Sequence, residues 1–330
     1  MAATSIQWCD HSINPIRARH KKTGAVGHYC EKIATGCTNC YASTLQRRFN
    51  MPAFGSGQHR DDVEVFLDEA KLLEVRKRKK PTSYFWCDMT DLFGDWVSAY
   101  WITQCLATMW DTPGHTHLLL TKRPDLMSDI LNSAVMWRAM RAWLKGNHQQ
   151  CANGEHISDA VAEFKNVWCG TSIANQADAK KNLPKLAKCR DRVPVLFVSA
   201  EPLVGPVDLT PWLADLDWVI VGGESGQKAR MNRVVWTRSI IKQCAIAGVP
   251  CFHKQMGAFV VDRNDSFTCD PEMDKSCWPD NSDVEYDIHG FRENYQGADC
   301  RIRLRDSKGG VMEEWPIDLR VRQFPVCERR

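Results

Sequence analysis

The sequence predicts an α/β fold, a partial or complete TIM-like barrel of six to eight β/α units, and two observations support it. Short, near-continuous apolar segments recur along the chain, as in parallel strands covered on both faces, and a helix-like stretch follows most of them. Nearly every apolar segment also ends in polar, potentially reactive residues. These ends meet on one face of a barrel, whereas in an open doubly wound sheet, the alternative fold, only those near the switch point do.

The predicted strands can be followed in chain order. They lie at residues 83–91, 115–125, 166–173, 193–203, 216–226 and 249–257. Helix-like stretches follow at residues 96–110, 126–144, 177–189 and 234–248, whereas a short connection follows the strand at 193–203. With a first strand near the cysteine-rich stretch at 28–44, these segments make about six or seven β/α units.

The barrel pattern ends near residue 258. We therefore expect a barrel domain over residues 1–258 and an extension packed on it over residues 259–330. The polar, turn-rich stretch at 262–283 predicts a loop or lid, and the tail predicts a β-hairpin that turns at Gly309 and Gly310. A polar stretch at 146–159 predicts a surface insertion.

Composition narrows the class of protein. Apolar residues make up 44% of the chain and charged residues 25%, as in an ordinary globular protein. No apolar run approaches the roughly 20 residues that span a bilayer, and the N-terminus lacks the apolar core of a signal peptide. The sequence thus predicts a cytoplasmic protein with no membrane partner. An odd total of fifteen cysteines argues against a disulfide framework.

Three cysteines fall within eleven residues with the spacing C-x6-C-x2-C: Cys30, Cys37 and Cys40. Thiolates in such a group bind zinc or an iron–sulfur cluster. Zinc would need a fourth ligand, for which the candidates are Cys9, His11 and His28. A [4Fe–4S] cluster held by three cysteines instead leaves one iron without a protein ligand, and that iron can chelate the amino and carboxylate groups of S-adenosylmethionine.

The polar strand ends predict a single cavity beside this cysteine loop. In a barrel they would form a ring of charged and hydrogen-bonding side chains at the C-terminal mouth. The ring consists of Asp88, Asp91, Lys122, Arg123, Thr171, Ser172, Ser199, Glu201, Glu224, Ser225, Lys254 and Gln255. A zinc site with a solely structural role would not require such a ring.

Several strings together carry a resemblance to a known family: "GCTNCYA", "TKRPDLM", "EPLVGPVDL", "LDWVIVGGESG", "HKQMG" and "EWPIDLRVRQFP". With them the chain resembles a phage-encoded three-cysteine-motif family that is similar to the radical S-adenosylmethionine superfamily. The resemblance runs from about residue 8 to residue 325. The usual superfamily signature is C-x3-C-x2-C, whereas the first gap here is six residues.

The resemblance implies a barrel of the radical S-adenosylmethionine type with a C-terminal lid or hairpin. It implies a [4Fe–4S] cluster on the three cysteines, S-adenosylmethionine as the second cofactor, and an electron donor such as flavodoxin or ferredoxin. Cleavage of S-adenosylmethionine would then release a 5′-deoxyadenosyl radical. The residues expected to bind the cofactors are Tyr41, Asp88, Asp91, Lys122, Arg123, Thr171, Ser172, Ser199, Gly222 and Gly223. The residues expected to be catalytic are Glu224, Glu201 and Lys254.

Some of these residues have more specific expected roles. In many superfamily members a Gly-Gly-Glu segment after the second strand holds the methionyl amino group. Here that segment follows a late strand, so we expect Glu224 at the substrate and Asp88 with Asp91 at the amino group. Lys122 and Arg123 are expected at the methionyl carboxylate or a substrate phosphate. The pair at 171–172 is expected at the ribose hydroxyls.

The substrate is predicted from the phage context and from charge. Phages modify their DNA bases, so we expect modification or rearrangement of a base that already carries an amino-acid-derived group. Basic stretches at residues 17–22 and 76–80 are candidates for contacts with DNA phosphates. The alternatives are a zinc-stabilised nucleic-acid-binding protein without catalysis, a barrel hydrolase with a structural metal, and a radical enzyme that acts on a peptide or a free nucleotide.

Overall fold

A seven-stranded sheet dominates the computed structural model, which describes residues 4, 6–55, 59–146, 162–262 and 300–326. The predicted insertion at 146–159 and the predicted loop or lid at 262–283 lie almost entirely outside the described residues. The strands are β1 (His11–Ile13), β2 (Ile16–His20), β3 (Val26–Gly27), β4 (Val63–Leu67), β5 (Ser83–Trp86), β6 (Thr116–Thr121), β7 (Val167–Ile173), β8 (Val195–Ala200), β9 (Trp218–Gly222), β10 (Asn232–Arg233), β11 (Cys251–Gln255), β12 (Val260–Asp262) and β13 (Cys300–Ile302).

Helices follow most strands of this sheet. The α-helices are α1 (Tyr41–Leu45), α2 (Glu69–Lys77), α3 (Ala99–Trp110), α4 (Pro124–Leu131), α5 (Ala134–Gly146), α6 (Gln176–Leu186) and α7 (Val234–Ala247). Short 3₁₀ turns lie at Thr35–Cys37, Gln46–Phe49, Arg60–Asp62, Ala187–Arg192, Thr210–Asp215, Met312–Glu314 and Ile317–Leu319. Across the described ranges, no helix has the length and apolar character needed to cross a membrane.

The order of the strands separates the two predicted fold classes. Hydrogen-bonded neighbours follow the order β1-β5-β6-β7-β8-β9-β11, and the sheet is parallel. This order never reverses along the chain, so the sheet lacks the switch point of a doubly wound fold. Within the described residues β1 and β11 end the order and do not pair with each other. The mixed α/β fold is therefore compatible with a partial barrel, and the six predicted apolar strands are all found.

Contacts between residues divide the chain into two compact units. The first comprises Met1–Thr171 and Asn182–Phe197, and the second comprises Ser172–Lys181 and Val198–Glu328, as far as these ranges are described. The division passes within β7 and within β8. The predicted boundary near residue 258 stays a prediction.

The core of the first unit is built on β5 and α3. The β5 side chains of Tyr84 and Trp86 have almost no exposed surface, because strands on both sides and helices on the faces cover them. Ser98 caps the N-terminus of α3, because its hydroxyl accepts the Trp101 N–H at 3.3 Å. The helix is buried on all sides from Ile102 to Met109, and Cys105 has no exposed surface.

A second, antiparallel sheet of the first unit was not predicted. In the chain, β2, β3 and β4 come between β1 and β5, and they pair with one another in the order β3-β2-β4. Ile16 and Ala18 of β2 are buried, whereas Arg17 pairs with Asp68 at 3.7 Å and Arg19 is exposed. The basic stretch at 17–22 is therefore in part a strand with one apolar face.

The second unit contains β9, β11 and α7, together with a small sheet in the order β10-β12-β13. The expected hairpin about Gly309 and Gly310 is not the pairing found, because β13 pairs antiparallel with β12. After the turn the chain enters the 3₁₀ turn at Met312–Glu314, and Trp315 is buried with its indole N–H donated to the Gly309 carbonyl at 3.0 Å. Burial of this large ring packs the C-terminal segment against the core of the second unit.

Candidate functional site

The three cysteines of the first unit lie on one short, ordered segment. Cys37 ends the 3₁₀ turn that begins at Thr35, and Cys40 is the residue directly before α1. The Cys40 N–H donates to the Cys37 carbonyl at 3.4 Å. Cys30 and Cys40 pack against one apolar cluster, which consists of Ala42, Phe54 and Met89. Two of the predicted ligands therefore share one apolar cluster, and Cys37 lies three residues before Cys40 in the chain.

The environment of Cys30 disfavours a charged thiol. Burial raises the pKa of the Cys30 thiol most, and negative charge at Asp91, Cys40 and Cys37 raises it further, while Lys122 opposes the shift. Burial and these neighbouring charges favour the neutral thiol at Cys30, so a thiolate there would need a compensating cation. A metal or an iron–sulfur cluster supplies such charge, so the donor set fits one. Within the described residues no three such side chains are already arranged as a metal site.

His28, a candidate zinc ligand, is a buried side chain that supports this segment. Its Nδ1 lies 3.2 Å from the Ile16 carbonyl, and burial lowers its pKa to about 4. Gln46 holds the His28 backbone from both sides, accepting its N–H at 3.2 Å and donating to its carbonyl. The ring also packs edge-on against Phe49, with centroids 5.6 Å apart. This environment favours a structural role for His28.

Tyr41 and Asp88, two predicted cofactor ligands, are brought together beside the cysteines. The Tyr41 hydroxyl donates to the Asp88 carbonyl at 2.9 Å. Asn14 donates to the Asp88 carboxylate at 2.5 Å. Burial raises the pKa of Asp88, and hydrogen bonds from Asn14, Ser12 and Tyr41 oppose the rise. Tyr41 remains 45% exposed, so its ring is accessible while its hydroxyl is held.

The Asp91 carboxylate organises the loops after β5 and β6. It accepts hydrogen bonds from the Thr121 hydroxyl at 2.7 Å and from the backbone N–H groups of Lys122 at 3.2 Å and Phe93 at 3.0 Å. The bond to Phe93 is the local turn that a short acidic side chain makes two residues onward. Most of its acceptor capacity is therefore used within the protein, and binding of a methionyl amino group by Asp91 stays a prediction.

Arg123 joins this corner to the cysteine segment. Its guanidinium lies 3.5 Å from Asp91 and 3.7 Å from Glu31, the residue after Cys30, and it stacks over Trp96 at 4.7 Å. The side chain is only 11% exposed, so its positive charge is nearly buried and is paired with these two carboxylates. Sequence reasoning missed Glu31, because nothing in its spacing distinguishes it from other exposed acidic residues.

The two hydroxyls at the end of β7 differ in how they are used. Thr171, in the first unit, is fully buried and donates its hydroxyl to the Thr121 carbonyl at 2.8 Å. Ser172 is buried in the second unit. The Thr171 hydroxyl is therefore engaged in holding β6 and β7 together, and the expected ribose contacts stay a prediction.

In the second unit, a hydrogen-bonded ion pair joins three of the predicted residues. Lys254 Nζ lies 3.1 Å from Glu201 Oε1, and the Ser199 hydroxyl donates to Glu201 Oε2 at 3.2 Å. The Lys254 and Glu201 side chains are 21% and 13% exposed, so the pair is screened only in part. A Cβ at Gly222 would come within 2.8 Å of Glu201 Oε1. Glycine there leaves room for the carboxylate.

Glu224 is held by an arginine that the sequence did not single out. Arg230 donates its backbone N–H to Glu224 Oε2 at 2.7 Å and one guanidinium nitrogen to Oε1, also at 2.7 Å. Glu224 is 5% exposed, so this charge-assisted contact fixes a nearly buried carboxylate. Arg230 lies six residues after Glu224 across an irregular loop, where no periodic pattern indicates a partner.

Gly223 brings two backbone segments into close contact. Its N–H donates to the Gln255 carbonyl at 2.9 Å, and the Gln255 side chain donates to the Gly223 carbonyl at 2.9 Å. A Cβ on Gly223 would lie 2.0 Å from the Met256 carbonyl oxygen. Only glycine allows this approach, so the Gly-Gly segment aligns Glu224 through packing between backbones.

The basic stretch at 76–80 is not uniformly exposed. The Arg76 side chain is only 8% exposed, pairs with Asp111 at 3.6 Å and stacks over Trp143 at 4.4 Å. Lys77, together with residues 79 and 80, is exposed. Arg76 was therefore wrongly placed among surface charges, because its partner lies far away in the sequence.

A protein-family model matches most of the chain. A family model described as "Protein of unknown function (DUF5131)" matches residues 3–306. No curated protein and no solved structure matches the chain.

Proposed function

For this chain, which belongs to the DUF5131 family of proteins of unknown function, we propose a radical S-adenosylmethionine enzyme. Cys30, Cys37 and Cys40 would ligate a [4Fe–4S] cluster. When bound with S-adenosylmethionine and reduced by an electron donor such as flavodoxin or ferredoxin, this cluster would supply a 5′-deoxyadenosyl radical. The observation that carries the proposal is that Cys30 and Cys40 pack on one apolar cluster, with Cys37 in the 3₁₀ turn just before Cys40.

The neighbouring side chains support this assignment by what they do to the thiols. Arg123, nearly buried beside Glu31 and Asp91, places a fixed positive charge next to the cysteine segment. The apolar cluster of Ala42, Phe54 and Met89 limits water around Cys30 and Cys40. Because burial and the charge of Asp91 disfavour a bare thiolate at Cys30, the positive charge of bound iron would offset that cost.

In the second unit, two carboxylates have the character of substrate-binding or proton-handling groups. Glu201 is paired with Lys254 and Glu224 with Arg230, and both carboxylates are mostly buried. Paired charges of this kind can orient a polar substrate, and a lysine beside a carboxylate can hold a proton for transfer. We assign these roles to Glu201, Lys254 and Glu224, and we propose a base of DNA as the substrate.

Metal content and cofactor cleavage test the proposal. After anaerobic reconstitution with iron and sulfide, the wild-type chain should hold about four irons and Cys30→Ala, Cys37→Ala or Cys40→Ala should hold few. Cys105→Ala is the matched control, because this thiol is fully buried in α3 and should not affect iron content. The reduced wild-type protein should convert S-adenosylmethionine to 5′-deoxyadenosine, measured by liquid chromatography.

Two results would overturn the proposal. Full iron content in any of the three motif variants would remove the assigned ligands. A colourless protein with one zinc per chain and no 5′-deoxyadenosine would instead favour a zinc-stabilised nucleic-acid-binding protein without catalysis.

A further inference from the structure

A row of arginines borders a cavity in the second unit. The segment from Arg301 to Arg305 alternates between exposed and half-buried residues. Its half-buried members, Ile302 and Leu304, pack against the apolar cluster that contains Trp315. Arg301 and Arg303 therefore point away from that core, roughly 6.6 Å apart along an extended chain. The packing of the apolar face fixes the side on which the arginines lie.

The cavity beside these arginines has a volume of about 360 Å³, which is near the lower end of ligand-binding pockets. It is lined by Gly257, Ala258, Arg301, Ile302, Arg303, Leu304, Asp306 and Ser307. Arg301 stacks over the ring of Phe259 at 4.7 Å, which orients its guanidinium. Asp306, the acidic residue of the lining, directs a carboxylate oxygen to the Gly310 N–H at 2.5 Å.

Two residues that line this cavity contact the backbone at and beside Glu224, a predicted catalytic residue. The Ala258 N–H donates to the Glu224 carbonyl at 2.8 Å, and Gly257 packs against the backbone of Gly223. A ligand in the cavity would thus lie on the backbone that aligns Glu224. Exposed arginines on an edge strand also oppose aggregation, but that role requires neither the cavity nor its position.

We propose that Arg301 and Arg303 bind backbone phosphates of a DNA strand and that the cavity accepts a nucleotide unit next to Glu224. The inference rests on the proposed DNA substrate and names where the strand lies. Arginine suits this role because its planar guanidinium donates two parallel hydrogen bonds to a phosphate. Two arginines in a row along the chain can contact successive phosphates of one strand. A base drawn out of the duplex exposes such a strand.

Binding of a fluorescently labelled, short single-stranded oligonucleotide tests the proposal by anisotropy, without catalysis. The double variant Arg301→Gln/Arg303→Gln should bind at least about tenfold more weakly than the wild type. For this variant, the slope of log affinity against log salt concentration should be shallower by about 1.4, since each lost phosphate contact removes about 0.7 from the slope. Arg301→Lys/Arg303→Lys, which keeps both charges, should keep the salt dependence. Lys242→Gln, which removes an exposed charge from α7, is the matched control and should change neither quantity.

Three outcomes would overturn the proposal: no binding by the wild type, equal affinity and salt dependence in the double Gln variant, or an equal loss in Lys242→Gln. Binding of poly-glutamate with the same dependence on the two arginines would also overturn it, since the surface would then select any polyanion. Failure of the radical chemistry is distinguished because binding is measured without reductant or S-adenosylmethionine. Wild-type protein that binds the oligonucleotide through the two arginines but forms no 5′-deoxyadenosine would overturn the radical assignment and leave this proposal standing.

Discussion

The buried ring of His117 should make the free energy of unfolding fall as the pH is lowered from 7 to 5. His117 lies on β6 without exposed surface. The Trp86 indole N–H can only donate, so Nδ1 of His117, 3.0 Å away, must accept and carry no proton. The ring proton is then on Nε2, which lies 3.0 Å from the Thr112 hydroxyl. Burial lowers the pKa of His117 to about 3, and the nearby charge of His115 contributes.

The size of the effect follows from the difference between the folded and unfolded pKa. The unfolded ring titrates near 6.5 and the folded ring near 3, so unfolding takes up a proton between these values. The stability that depends on a neutral His117 is therefore complete above pH 6.5 and is lost progressively as the pH falls toward 3. Each pH unit in this window costs about 1.4 kcal/mol, so reaching pH 5 removes about 2 kcal/mol.

Urea unfolding at pH 7 and pH 5 measures this loss in the wild type and in His117→Gln. Glutamine keeps one donor and one acceptor for the two neighbours but does not titrate, so the variant should lose about 2 kcal/mol less between the two pH values. His28 and His253, whose pKa values burial also lowers to about 4, contribute equally in both proteins. Equal losses in the wild type and the variant would refute the reasoning.

Two further substitutions test packing around the candidate site and the basic stretch. Gly223→Ala should destabilise by about 1–3 kcal/mol, because its Cβ would lie 2.0 Å from the Met256 carbonyl oxygen. Gly114→Ala, whose Cβ meets nothing within 4 Å, is the control for urea unfolding, and equal midpoints would contradict the packing argument. Arg76→Gln should destabilise by about 3 kcal/mol because it breaks a buried ion pair. Calorimetry compares it with exposed Lys77→Gln, and a loss no larger than that of Lys77→Gln would show that the pair is not needed.

The strands of the main sheet were predictable because their signal is local. A parallel strand covered on both faces has to be apolar along its length, so β8 and β9 can be recognised in the sequence as short apolar runs. The polar residues that end these strands can also be recognised, because each follows directly on an apolar run. Ser199, Glu201 and Lys254 were predicted one strand at a time, and the structure joins them in one hydrogen-bonded ion pair.

Other features depend on contacts between distant residues, which a pattern in one segment does not contain. The β2 strand was hidden because its outward arginines resemble a basic loop, although Ile16 and Ala18 alternate with them as buried residues. The burial of Arg76 could be predicted only by knowing that it pairs with Asp111. The fixed position of the Glu224 carboxylate likewise depends on its pairing with Arg230. In each case the partner is selected by the tertiary fold rather than by spacing.

The position of the cysteine segment in the chain between β1 and β5 has a consequence for how it would respond to loss of the proposed cluster. These two strands pair directly, with His11 opposite Tyr84, and Asp10 accepts both the N–H and the hydroxyl of Ser83 at 2.8 Å. Strand pairing thus offsets the entropy of closing the long loop between them, so binding of the proposed cluster would have to fix only the short segment that holds the three cysteines. Chelation should therefore raise hydrogen exchange locally near Cys37 and leave the amides of β5 protected, unlike in a zinc finger, where the whole domain unfolds.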